Sequence, residues 1–112
     1  MIVFISQDYS YDPTLAVKRA YAYSKYVVRA GHIPLSPVLL FHGVRDNGTD
    51  YFPIITDCFR LIDRCDEVWE FDGDREGHGR VLERQYALSA KKVIYFISYE
   101  ILEKIRPQED VE

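Results

Sequence analysis

Met1 to Ser6 is a short apolar run without alternation, the pattern of a strand buried on both faces of a parallel sheet. The polar and aromatic stretch QDYSYD follows and ends at Asp12-Pro13, an N-cap residue followed by a proline suited to the first helical position. A helix is predicted from there. Its buried stripe is Ala16, Ala20, Tyr23 and Val27, flanked by Val17, Ser24 and Val28, with Lys18, Arg19, Lys25 and Arg29 on other faces. Gly31 closes it as a left-handed cap. His32 to Leu35 reads as a second strand whose exit is set by Ser36-Pro37. Val38 to Phe41 and the following HGVRDNGTD read as a loop that covers something.

Pro53 can start the next helix, with Ile54, Ile55, Cys58, Phe59 and Ile62 inward and an end near Arg64 or Cys65. Glu67 to Phe71 is the third strand, broken by Asp72-Gly73. A helix begins around Gly79 and runs from Arg80 to about Ala90. It carries Leu82, Tyr86 and Ser89 on one side and Val81, Gln85 and Leu88 on another, and Lys91-Lys92 suits its carboxyl end. Val93 to Ile97 reads as a fourth buried strand. Ser98 caps a last helix with Ile101, Leu102 and Ile105 inward, which Arg106-Pro107 stops.

This alternation predicts an α/β fold: a Rossmann-like (flavodoxin-like) open parallel sheet of four to five strands, order 2-1-3-4, with helices on both faces. Ligands of such sheets bind at the carboxyl edge, where Tyr9, Ser36, Asp72 and the turn from Gly77 to Glu83 gather. One domain is expected over residues 1–106, with 107–112 as an acidic tail.

With 47% hydrophobic and 29% charged residues, the chain is neither disordered nor fibrous. The net charge of -4 argues against nucleic acid as a partner, which would call for a basic face. Cys58 and Cys65 are seven apart on what reads as one helix, too distant to bridge and without a CxxC zinc spacing. Three histidines in separate loops make no metal site. The opening MIVFIS is too short for a signal peptide or a membrane span, so a cytoplasmic protein with no membrane partner is expected.

Glu83 is the foremost candidate for chemistry. A carboxylate can attack an anomeric carbon through an oxocarbenium-like transition state; equally, the residue reads as an exposed helix position paired with Arg80 or Arg84. Gly77, His78, Gly79 and Arg80 can cradle an anion at a helix amino end, or can form an ordinary polar turn. Tyr9 and Tyr11 can stack on a base, although tyrosine is abundant in the chain. Asp72 and Asp74 can hold sugar hydroxyls or can be turn residues.

The segments CDEVWEFDGDREGHG and LERQYALSAKKV resemble the strand, glycine turn and helix signature of nucleoside 2-deoxyribosyltransferases and related nucleotide N-glycosidases. ISQDYS stands at the place of that family's first strand and Gly-Pro-aromatic loop. AGHIPLSPVLLF resembles a segment of its small, largely uncharacterised bacterial and phage relatives. The resemblance implies that Glu83 is the nucleophile and that Tyr9 positions the substrate. It implies that Ser36, Asp72, Glu76, His78, Gly79 and Arg80 contact a nucleoside or nucleotide, Asp72 or Glu76 at the sugar or base and Gly79 with Arg80 at a phosphate. The sequence departs from the family in having Gln7-Asp8 for Gly-Pro, Gly77 for the turn serine, and Arg84-Gln85 for a small apolar pair.

The function so implied is cleavage of an N-glycosidic bond, as an N-glycosidase or 2-deoxyribosyltransferase, with no metal or organic cofactor required. A homo-oligomer is also implied, since the pocket of so short a chain is shallow unless a neighbour closes it. Two alternatives stand beside this: a non-catalytic nucleotide-binding module, and a small interaction protein using its aromatic loops.

Overall fold

The computed structural model describes residues 1–9, 12–46 and 48–107. Tyr11 and the tail from Gln108 onward lie outside them. Strands β1 (Ile2–Ser6), β2 (Ile33–Leu35), β3 (Glu67–Glu70) and β4 (Val93–Phe96) form one parallel sheet in the order β2-β1-β3-β4. Helices α1 (Pro13–Arg29), α2 (Pro37–Phe41), α3 (Tyr51–Arg64), α4 (His78–Ser89) and α5 (Tyr99–Ile105) surround it. The α/β open parallel sheet and the strand order expected from the sequence are both present.

Side chains alternate across a strand, so each contributes to two cores. Val3, Ile5, Trp69 and Phe71 pack with Tyr23, Val27 and Leu102 from α1 and α5. Phe4 and Val68 pack on the opposite face with Cys58, Ile62 and Ala87 from α3 and α4. Each large apolar side chain enclosed this way contributes about 1.5–3 kcal/mol. By the same alternation Ser6 follows Phe4, and Glu70 follows Val68, toward α3 and α4. The two are paired in register at the carboxyl end of the sheet.

Four local expectations change. Ser36-Pro37 does not merely end β2 but starts α2: Ser36 Oγ accepts from the Leu39 N–H at 3.3 Å and Pro37 takes the first helical position. The expected loop therefore begins with a short helix. Helix α3 starts at Tyr51, two residues before Pro53, and α4 starts at His78. Finally, β4 is an edge strand rather than a buried one, with Val93, Tyr95 and Phe96 exposed, because nothing pairs beyond it among the described residues.

Candidate active site

The inner face of α4 is Arg80, Glu83 and Ala87, spaced as one side of a helix. Ala87 sits in the apolar core with Phe4 and Val68. One turn earlier the helix passes the ends of β1 and β3, where the facing residues are Ser6 and Glu70 rather than apolar ones. The polar half of the helix face thus meets the polar ends of two strands. Leu82 and Tyr86, grouped on one side from the sequence, are half-buried, and the Tyr86 ring stacks on Phe59 at 4.4 Å between centroids.

Glu83 is 7% exposed, which rules out the surface helix residue that its spacing from Arg80 and Arg84 allowed. Ser6 Oγ donates to Glu83 Oε1 at 2.8 Å, and the Cys58 thiol from α3 also bonds the carboxylate. Burial pushes the Glu83 carboxyl up to about 7; the Ser6 and Cys58 hydrogen bonds pull the other way and Glu70 adds to the rise. Burial, with the Glu83 charge beside it, drives the Cys58 thiol far up, so it serves as a donor.

Glu83 opens onto a cavity of about 570 Å³ beyond the carboxyl end of the sheet. Pro37, Val38, Phe41, Ile54 and Ile55 give it an apolar wall. Two tyrosine–histidine pairs stand at its polar side. Tyr9 Oη and His42 Nδ1 are 3.0 Å apart, and Tyr51 Oη and His78 Nδ1 are 3.1 Å apart with their rings stacked. A cavity of this size with one apolar wall and a few polar groups suits a small planar molecule with a polar appendage.

Of the residues singled out from the sequence, Glu83, Tyr9, Glu76, His78, Gly79 and Arg80 come together around this cavity. Ser36 and Asp72 do not line it. Ser36 is turned into the α2 cap. Asp72 faces a separate cavity of about 200 Å³, where its carboxylate accepts from the Tyr23 hydroxyl and, at 2.5 Å, from Arg106 Nη2. Arg80, expected to reach an anion, has no exposed side-chain surface: it pairs with Asp8 at 3.1 Å and with Glu70. Arg84 bonds the same Glu70, so two helix arginines close on one buried carboxylate.

Sequence reasoning passed over Ser6, Asp8, His42, Tyr51, Cys58 and Glu70. Glu70 carried a signal: a charge ending the buried run Val68-Trp69 requires a partner, and Arg80 and Arg84 lie one helical turn apart. Gly77 also has a specific cause. A Cβ there would lie 1.7 Å from Asp8 Oδ1, so the position is glycine because the Asp8 carboxylate fills the space of its side chain. Among the described residues no group of three or more His, Cys, Asp or Glu could hold a metal ion, and no helix is long and apolar enough to cross a membrane.

Residues 1–97 match the profile of a family described as "Domain of unknown function (DUF7768)". The chain belongs to that family. No curated protein matches the chain at significant similarity. The DUF7768 fold is similar to that of a 2-desoxiribosyltransferase from Leishmania mexicana, with a TM-score of 0.66 and 17% identity over 92% of this chain and 69% of that one. At that identity the likeness carries the fold alone, an open parallel α/β sheet with helices around it.

Proposed function

We propose that this DUF7768 domain cleaves the N-glycosidic bond of a nucleoside or nucleotide, as an N-glycosidase or 2-deoxyribosyltransferase, with Glu83 as nucleophile. The observation that carries this reading is the buried Glu83 carboxyl, held by Ser6 at 2.8 Å, at the wall of a cavity of base-and-sugar size. One Glu83 oxygen attacks the anomeric carbon. The carbon–nitrogen bond breaks, and its electron pair leaves with the base, which takes a proton from solvent or from Glu76 in the same cavity. Water then attacks the anomeric carbon, giving its proton to solvent and releasing the sugar and the Glu83 carboxylate; a second base in place of water completes a transfer. The apolar wall and the two tyrosine–histidine pairs receive the base. Similarity to a protein named a 2-desoxiribosyltransferase supports the same reading, and an assembly of copies whose loops close the cavity belongs to it.

Incubation with 2′-deoxynucleosides and their 5′-monophosphates, with free base measured by chromatography, tests the proposal. Base release that is lost in Glu83→Ala and in Glu83→Gln is expected; release undiminished in both variants sinks the nucleophile assignment. A second reading, a nucleotide-binding module without turnover, draws on the Glu83 carboxyl being pushed up to about 7, which leaves much of it protonated near neutrality. Saturable nucleotide binding without base release, retained in Glu83→Gln, would mark that outcome.

A further inference from the structure

The amino end of α4 contains an anion already. Gly77, its N-cap, supplies no side-chain cap, and the first N–H groups of a helix have no partner within it. Asp8 lies beside that position: its Oδ1 occupies the space of a Gly77 side chain and accepts from Arg80 Nε at 3.1 Å, while its Oδ2 is buried without a hydrogen-bond partner. The Asp8 backbone is fixed from the other side, where its N–H donates to Asp72 Oδ2 at 3.1 Å. Arg80 Nη2 is buried without a hydrogen-bond partner at the same place. A fully enclosed, half-satisfied guanidinium next to free helix N–H groups is suited to an anion, and a carboxylate of the chain itself stands there.

The charges around the cavity agree. Asp8, Glu76 and Glu83 line it, Arg80 is enclosed by Asp8 and Glu70, and Arg45 is paired with Asp57 at 2.6 Å. Arg75 also lines it and bears on Asp8. A phosphate seated at the amino end of α4 would lie against the Asp8 carboxylate, and like charges there repel.

We propose that Asp8 is a specificity-determining residue: it fills the anion seat at the amino end of α4, so that the cavity takes nucleosides without a phosphate on the sugar. This rests on the reading of the cavity as a nucleoside site, but the anion seat can be tested without it. Asp8→Asn keeps the size and removes the charge; Asp8→Ala empties the seat; Gly77→Ala displaces the carboxylate with a methyl group. Thermal melting establishes that each is folded.

Inorganic phosphate is titrated into each protein and followed by phosphorus NMR and calorimetry. The rate of base release from deoxynucleosides relative to their 5′-monophosphates is measured in parallel. The wild type is expected to bind no phosphate at millimolar concentration. Asp8→Asn and Asp8→Ala are expected to bind it saturably, with relative use of monophosphates raised at least about tenfold. A wild type that binds phosphate as its variants do, or folded variants that gain none, overturns the proposal even if nucleosides are cleaved. Phosphate binding gained without any base release upholds the anion seat and instead removes the glycosidase reading.

Discussion

Ser6 and Glu83, 77 residues apart, meet at 2.8 Å where the first strand ends beneath the fourth helix. The hydroxyl donates to Oε1 and so favours the ionised carboxylate against the burial that disfavours it. The nucleophilic role proposed for Glu83 requires a carboxylate that is ionised and aimed, and this contact favours both. Ser6→Ala should therefore move the Glu83 carboxyl further up. At neutral pH it should lower base release by about tenfold or more, the loss of a hydrogen bond to a charged group being worth about 1.5–3 kcal/mol. The pH–rate profile distinguishes this from simple loosening: its ascending limb should shift to higher pH in Ser6→Ala, and an unmoved limb would show that Ser6 does not tune Glu83.

The Glu83 carboxyl also makes stability depend on pH. Its folded value of about 7 lies above the ordinary 4.5. The folded state thus holds the proton more tightly than the unfolded chain, and stability is fullest below about 4.5 and declines as pH rises through 7. A shift of that size corresponds to about 3 kcal/mol. Glu83→Gln removes the ionisation, so it should unfold at higher urea than wild type at pH 8, with the advantage shrinking as pH falls from about 7 and gone below about 4.5. Equal stability across that range would show that the carboxyl is not raised. For activity the sign is opposite, since the ionised form reacts: the wild-type kcat/KM should climb with pH through about 7.

The tyrosine–histidine pairs at the cavity give a prediction about binding rather than chemistry. Tyr51 stacks on His78 and bonds it at 3.1 Å, and neither ring approaches Glu83 through any hydrogen bond described. Tyr51→Ala should raise KM by about threefold to tenfold through loss of an aromatic contact, with kcat changed less. Tyr51→Phe should fall between. A fall in kcat alone would place Tyr51 in the chemical step instead.

The topology was legible because it rests on pattern: the apolar run from Met1, the β-prone Val68, Trp69 and Phe71 before the Asp72-Gly73 break, and the spacing of Ala16, Ala20, Tyr23 and Val27 each draw on several residues. Glu83 was visible as a candidate, but its burial was not, since the helix pattern offered two sides, one with Leu82 and Tyr86 and one with Val81 and Leu88, and neither included Glu83. What decided the matter was where α4 crosses the sheet. Arg80 and Glu83 fall beyond the last apolar strand positions, opposite Ser6 and Glu70, and no local rule states that register. Asp8 and Gly77 illustrate the same limit. Each alone reads as turn chemistry, and only their approach across the cavity shows that one fills the space the other leaves. Ser36-Pro37 is different, for its capping signal matched that of Asp12-Pro13 and was outweighed by the loop-like residues after it.

The same arrangement makes Arg80 a matter of stability. Its guanidinium is fully enclosed between Asp8 and Glu70, and Glu70 is itself 1% exposed. Removing one member of a buried ionic group leaves the others uncompensated in a medium that solvates them poorly, at a cost of about 3–5 kcal/mol. Arg80→Met should approach the lower figure, because Arg84 still holds Glu70 through Nε at 2.9 Å. Replacing both charges with apolar groups changes the balance, since no buried Glu70 carboxylate is then left seeking a partner. Arg80→Met with Glu70→Leu should be less destabilised than the sum of its single variants, by at least about 1 kcal/mol in a double-mutant cycle on urea unfolding. Additive losses would show that the two side chains do not share one ionic unit, and that Asp8 alone determines what Arg80 contributes.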